Sequence, residues 1–381
     1  MAADGPIRVI ILPSWYPAYE NDYAGIFFRE QAAALAESGL DVTVVSPLRW
    51  SLKTLVRRTR PLAPIDGLVE VRRPYLGPPR SPGLDTVIWS AFVRRMYARY
   101  VHERGIPDIL HVHSLYPAGI VGCALVARKR VLTEHSTGFL AMSATRLQDR
   151  DIAALRSFDR RIAVSQHLAH RMESLAPSVG QWNYVPNVVD TGFFVPGSSC
   201  DDRIRVLTAS NLIPAKRVDM LIRAFDAAFP TGSAELRIAG DGSEHAALKT
   251  LAASLRSADR IHFLGAVSRE RLKSELDVCT MFALASLYET FGVVLVEALS
   301  MGKPVVATDS GGPASIVHAG NGILVPLHDQ AALTRALAQL ADTSQAYDAE
   351  SIRADCIGRF GRVAVTAQLK RLYREALDDG R

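Results

Sequence analysis

At 381 residues the chain is longer than one hydrophobic core ordinarily supports, so two domains are expected. An apolar share of 48% with 22% charged residues is that of a folded globular chain, and no run reaches the roughly 18 to 20 consecutive apolar residues of a membrane-spanning helix. The net charge of +5 suits an anionic ligand or surface without naming one. The four widely spaced cysteines (Cys123, Cys200, Cys279, Cys356) support neither a disulfide framework nor a zinc site.

The first apolar stretch is short and stops at Pro13. It lacks the long apolar core and small-residue cleavage site of a secretory signal, so residues 7–12 read as a buried strand and the expected compartment is the cytoplasm. From there apolar runs alternate with helical patterns, the signature of a parallel sheet covered by helices. Strand RVIIL (8–12) precedes helix GIFFREQAAALAESG (25–39) and strand DVTVVSP (41–47); strands at 108–114, 130–136 and 160–165 follow. A Pro-, Gly- and Ser-bearing stretch (184–202) reads as an interdomain hinge.

The alternation then restarts with strand 204–210, helix 218–229, strand 235–242, helix 244–257 and strand 261–267. Strand 279–286, helix 293–302 and strands 304–310 and 322–327 complete it. Two such units place ligands at the carboxyl ends of their strands. In IAGDGSEH (238–245) a dinucleotide fingerprint fails at its third glycine, which is His245, so a tight strand-to-helix turn with Asp241 and Ser243 as turn or cap residues is expected.

The segment YETFGVVLVEALSMGKPVVATDSGG (288–312) is the richest in chemistry. Glu289 falls in a loop just before a helix and Glu297 projects from about its second turn, with Gly292 allowing close approach to the first-turn N–H groups. Two carboxylates around an anion site make sense if they hold hydroxyls, as of a ribose and a sugar; a solvated carboxylate pair is the alternative. His111 and His113 share one face of their strand, open to a structural, substrate-side or metal reading.

Together with SWYPAYENDYAGIFFREQ, IAVSQHLAHRM, PNVVDTGFF, NLIPAKRVDMLIRAF, LRIAGDGSE and GGPASIV, this segment resembles the E-x7-E signature of glycosyltransferase family 4, which are retaining enzymes. The resemblance implies an α/β GT-B fold, two Rossmann-like doubly wound domains facing a central cleft. Residues 1–195 would form the acceptor-side domain and 203–360 the nucleotide-sugar side, with 361–381 a helix packing back toward the first. It further implies transfer of a sugar from a UDP- or GDP-sugar to a glycan or lipid-linked acceptor of cell-surface polysaccharide synthesis. Retention would follow from front-face attack, the departing phosphate taking the acceptor's proton. Carried over by position, Glu297 holds the ribose, Glu289 the transferred sugar, and Thr290, Phe291 and Gly292 turn amides toward sugar and phosphate. Lys216 pairs with the diphosphate, Gly25 lets a loop close over it, and His135 lies near the reacting carbon.

The chain departs from the pattern at Asn211, where an arginine is usual, at Arg217, where glycine is usual, and at Ser315, where a glutamate often stands. Asn211 takes one cation from the leaving-group site, which Lys216 and Arg217 would make good. No D-x-D motif stands near a strand end, so neither a divalent ion nor another cofactor is expected. A nucleotide-sugar epimerase and a non-catalytic nucleotide-sugar binding protein are the competing classes, and nothing points to nucleic acid. Finally, RWSLKTLVRRTR (49–60) mixes basic and apolar residues. It fits peripheral contact with the anionic inner face of the cell membrane, an acceptor-phosphate site, or a solvated loop.

Overall fold

The computed structural model describes residues 5–20, 22–50, 60–78, 81–142, 147–197 and 203–379, apart from the side chain of Gln345. The chain divides into two compact units, Met1–Val188 with Arg362–Arg381, and Val189–Gly361.

The first unit is built on seven parallel strands in the order β3-β2-β1-β4-β5-β6-β7. These are β1 (Arg8–Pro13), β2 (Asp41–Trp50), β3 (Leu68–Leu76), β4 (Ile109–His113), β5 (Lys129–Glu134), β6 (Arg160–Ala163) and β7 (Asn183–Tyr184). Val9 to Leu12 of β1 are all inaccessible to solvent, which is why the strand reads as an unbroken apolar run rather than an alternating one. Helices α1 (Ile26–Glu37), α2 (Pro82–Arg104), α3 (Asp149–Arg156) and α4 (Gln166–Leu175) cover the sheet. Local chemistry sets their ends: Pro82 occupies the first turn of α2, and Ser165 Oγ caps α4 by accepting from Leu168 N at 3.1 Å.

The second unit has six parallel strands ordered β10-β9-β8-β11-β12-β13. They are β8 (Arg205–Ala209), β9 (Glu235–Ala239), β10 (Ile261–Gly265), β11 (Met281–Leu284), β12 (Val305–Thr308) and β13 (Gly322–Val325). Helices α5 (Val218–Ala228), α6 (His245–Ala253), α7 (Arg269–Val278), α8 (Val293–Ser300), α9 (Gln330–Thr343) and α10 (Ala349–Phe360) accompany them. Its core joins Leu221 and Phe225 of α5 to Leu236, Ile238, Met281 and the leucines Leu333, Leu337 and Leu340 of α9.

The last helix, α11 (Arg362–Asp378), belongs to the first unit, where Val365, Leu369, Leu372 and Tyr373 pack with Val9, Ile11, Phe28 and Leu35. Each side chain so buried contributes roughly 1.5–3 kcal/mol. Residues 189–195, which the sequence reading gives to the first domain, belong to the second unit. Val189 N donates to Phe360 O at 3.1 Å, and Phe194 O accepts from Ser300 Oγ at 3.1 Å. In each sheet the strand order reverses once, between β1 and β4 and between β8 and β11, and the candidate residues follow these strands or their neighbours.

Candidate active site

In the second unit the loops after β8 and β11 leave neighbouring strands and are tied together by Leu287 N donating to Ala215 O at 2.8 Å. This register brings Lys216 Nζ to 2.5 Å from Glu289 Oε1, and Ser286 Oγ donates to the same oxygen at 2.8 Å. The backbone of Glu289 is held as firmly. Its N–H donates to Ser310 O at 3.1 Å, and its carbonyl accepts from Gly312 N at 2.7 Å. A Cβ on Gly312 would stand 2.5 Å from the Phe291 nitrogen, so the double glycine is there to let two backbones touch.

Phe291 is an anchor: its ring is buried, edge-on to Phe360 at 5.6 Å, which leaves only its backbone for a ligand. Gly292 caps α8 at φ 102°, so no side chain stands before the first-turn N–H groups. Thr290 is buried beside it, and Glu297 is half-buried on the second turn. The other family positions diverge. Asn211 is exposed at the start of its loop, and the Arg217 guanidinium is taken by Asp219, with Nε 3.0 Å and Nη2 3.3 Å from the two carboxylate oxygens. Arg217 is thus already paired with a carboxylate, that of Asp219. Ser315 lies in a short turn whose carbonyl accepts from Arg359 Nη2 at 2.6 Å.

The glycines of IAGDG answer to packing. A Cβ on Gly240 would fall 1.8 Å from Ser210 O, and one on Gly242 would fall 2.4 Å from Leu212 O. Asp241 tightens the turn through Gly242 N and His245 Nδ1, each at 2.8 Å, while no side chain caps α6.

In the first unit Gly25 and His135 are brought together through α1. Gly25 has φ 77°, and a Cβ there would meet Trp15 Cδ1 at 2.8 Å and Phe28 at 3.0 Å. Phe27 and Phe28, which follow it, lie 5.3 and 4.8 Å from the His135 ring. Glu134 was not among the expected residues, yet it organises this loop. Oε1 accepts from the backbone of His135 and Ser136, and Oε2 from Leu115, all at 2.8 Å. Burial raises its pKa, against the pull of those N–H groups. His135 is also buried, bonded to His113 Nδ1 at 3.0 Å, and burial drives both rings far below the ordinary imidazole range. They are neutral at pH 7 and offer hydrogen bonds rather than charge.

His111 is a strut. Tyr373 of α11 lies 2.6 Å from one ring nitrogen and Thr133 2.7 Å from the other, and burial holds the ring down to about 3. Among the described residues no group of three or more His, Cys, Asp or Glu is arranged to hold a metal ion.

The profile of the family described as glycosyl transferases group 1 matches residues 194–354, and that of glycosyltransferase family 4 matches residues 24–193. The chain belongs to the family 4 glycosyltransferases. The two matched ranges of this glycosyltransferase meet at 193/194, five residues beyond the division between its compact units. Its relatives include an N-acetyl-alpha-D-glucosaminyl L-malate synthase of Bacillus anthracis, 27% identical over 73% of this chain and 77% of that one. Another is a D-inositol 3-phosphate glycosyltransferase of Mycolicibacterium vanbaalenii, 29% identical over 80% and 74%. In fold the glycosyltransferase resembles a sucrose-phosphate synthase from Thermosynechococcus elongatus, with a TM-score of 0.80 at 21% identity over 98% of this chain and 100% of the other. It also resembles Anabaena HepE solved in complex with UDP-glucose, with a TM-score of 0.69 at 21% identity over 97% and 100%.

Proposed function

We propose that this glycosyltransferase transfers a sugar from a nucleoside diphosphate sugar with retention, and that the second unit holds the donor. The observation that carries the reading is the Lys216–Glu289 pair in front of the Gly292-capped helix. An ammonium and first-turn amides suit a diphosphate, and a carboxylate beside them suits sugar hydroxyls. HepE, of the same fold, is solved with UDP-glucose, which supports a nucleoside diphosphate sugar as the donor; UDP- and GDP-sugars are the candidates.

Sugar transfer builds negative charge on the departing phosphate as the anomeric carbon gains oxocarbenium character. Lys216 and the amides of 290–293 stabilise that growing charge, which is where binding lowers the barrier. Glu297 takes the ribose hydroxyls, and Glu289 orients the sugar without attacking it. The departing phosphate accepts the acceptor's proton, so no carboxylate base is needed. His135, neutral and held by Glu134, offers a hydrogen bond near the reacting carbon. The acceptor belongs to the first unit; a lipid-linked sugar of cell-surface polysaccharide synthesis is the reading that the opening segment favours.

The test is a screen of UDP- and GDP-sugars by thermal shift, followed by NMR of the product anomer. Stabilisation by one donor and a product that keeps the donor's anomeric configuration are expected. An inverted product, or a trapped glycosyl–Glu289 adduct, would overturn the mechanism. Donor consumed to a stereoisomer without acceptor would make the chain an epimerase.

A further inference from the structure

Glu70 and Arg72 are two residues apart on β3 and so share one face of the sheet, the face on which Arg29 of α1 meets Glu70. β3 is an edge strand two places from β1, yet both side chains reach the loop that leaves β1. Tyr16 of that loop donates its hydroxyl to Glu70 Oε1 at 2.6 Å. Arg29 grips the same carboxylate twice, with Nε 3.0 Å from Oε1 and Nη2 3.1 Å from Oε2. The Arg29 and Glu70 side chains are 11% and 13% exposed, so solvent does not screen this pair away. Burial, and then the Glu70 charge, push the Tyr16 hydroxyl far above its ordinary range, and it remains a donor.

Arg72 takes the next part of the loop. Its Nη2 donates to two successive carbonyls, Pro17 O at 2.7 Å and Ala18 O at 3.1 Å. Ala18 is held through its N–H too, which donates to Asp22 Oδ2 at 2.8 Å. Asp22 Oδ1 in turn accepts from Ala24 N at 3.1 Å, and Ala24 precedes Gly25. An unbroken run of hydrogen bonds therefore leads from β3 through Arg72, Ala18 and Asp22 to the residue before Gly25.

Stability alone is poorly served by this arrangement. Arg72 is a cation in a half-buried site, and its buried Nε meets no acceptor among the described residues. A buried donor left unpaired is a cost. What the guanidinium supplies is geometry, since it fixes the carbonyls of a loop from a strand of the sheet. Gly25, pressed against Trp15 and Phe28, has little room to absorb a shift passed along the run.

We propose that Arg72, with Glu70 beside it, is a positioning residue for the donor, on the reading that Gly25 ends the loop facing its diphosphate. Neither side chain touches the ligand. They hold Tyr16, Pro17 and Ala18, and Asp22 carries that hold to Gly25.

Titration calorimetry of the full chain with UDP and with GDP tests this. Arg72→Met and Asp22→Ala break the run at its start and its middle, and each should weaken nucleotide binding about tenfold. Tyr16→Phe, which removes only the bond to Glu70, should weaken it about threefold. Arg72→Lys, whose ammonium can donate to both carbonyls, should recover all but about twofold. Arg8→Met is the comparison. Arg8 likewise holds two backbone carbonyls, those of Arg104 and Ile106, but from the amino end of β1. Its loss should lower the urea midpoint and leave nucleotide affinity at the wild-type value. A merely structural Arg72 would make the two methionine variants alike. Wild-type affinity in Arg72→Met, or an equal loss in Arg8→Met, would overturn the proposal. The loop itself is read from the fluorine resonance of 5-fluorotryptophan at Trp15, which should move in Arg72→Met and Asp22→Ala and stay in Arg8→Met. If neither nucleotide binds the wild type, the donor reading fails, and the Trp15 resonance alone decides whether Arg72 holds the loop.

Discussion

Lys216 Nζ and Glu289 Oε1 are 2.5 Å apart, so one ammonium serves two sets of oxygens: the carboxylate it touches and the diphosphate it is proposed to hold. Asn211, the other position proposed to face the phosphate, brings a dipole and no charge. Lys216→Ala should therefore lower kcat/KM by about 2–4 kcal/mol, against about 1 kcal/mol or less for Asn211→Ala. Equal losses in steady-state assays of the two variants would mean that the phosphate is held elsewhere.

The shared ammonium also separates the two glutamates. Glu289→Gln should lower kcat while leaving the affinity for free nucleoside diphosphate unchanged or tighter, because Lys216 no longer divides its charge. Glu297→Gln should weaken that affinity instead. Titration calorimetry beside single-turnover rates reads both, and the opposite allocation would show the roles reversed.

Gly25 cannot carry a side chain without disturbance. Its φ of 77° is strained for alanine, and the added methyl would press on Trp15 and Phe28. Gly25→Ala should cost about 1–2 kcal/mol of stability, change tryptophan emission, and raise the donor KM, since Gly25 is proposed to let a loop close over the diphosphate. An unchanged emission spectrum with a normal KM would show that the loop accommodates the methyl by moving elsewhere.

Three histidines buried as neutral rings make stability depend on pH. Their folded pKa values lie below the unfolded value of 6.5, so the unfolded chain binds more protons as the solution turns acid. The stability they contribute is complete above pH 6.5 and is lost as the pH falls below it. Each contributes a slope approaching about 1.4 kcal/mol per pH unit. Glu134, whose pKa burial raises above 4.5, acts in the opposite sense, taking up its proton in the folded state first. His111→Gln should remove one histidine's share of the slope between pH 6.5 and 5, as read by urea denaturation. An identical slope in variant and wild type would mean that His111 is protonated in the fold.

The basic segment predicts salt-sensitive binding to anionic vesicles, weakened when Arg57 and Arg58 become Ser. Each basic residue near the surface adds roughly 1 kcal/mol. Residues 51–59 lie outside the described residues, but Trp50 before them is 38% exposed at the end of β2, and Arg60 after them is also exposed. No helix among the described residues is long and apolar enough to cross a membrane. Flotation with phosphatidylserine vesicles at low salt checks the idea, and wild-type protein left in the soluble fraction would end it.

Most strands were legible because a parallel strand buried on both faces is an apolar run, as in RVIIL and MFALAS. β3 was not, since Glu70, Arg72 and Arg73 interrupt LVEVRRPYL; it is an edge strand of its sheet, where charge is tolerated. Position in a motif pointed to Lys216 and Glu289, but their contact depends on two strands distant in sequence lying side by side. The offset of Arg217 by Asp219 was open to the eye at i and i+2, yet only the left-handed backbone at Arg217 turns the two together. The role of Glu134 was invisible for the same reason: tertiary neighbours leave no periodic trace.

Tyr373 on His111 carries one more consequence, for the order in which the polypeptide becomes structured. Residues 189–361 are contiguous, so that unit has every strand it needs before α11 is synthesised. The unit that begins the chain lacks Val365, Leu369, Leu372 and Tyr373 until the final helix emerges from the ribosome. Here the usual N-to-C sequence of domain completion is inverted, and the first strands made wait longest for their core. A nonsense codon near residue 362 would therefore strike hardest at the beginning of the protein, not its end.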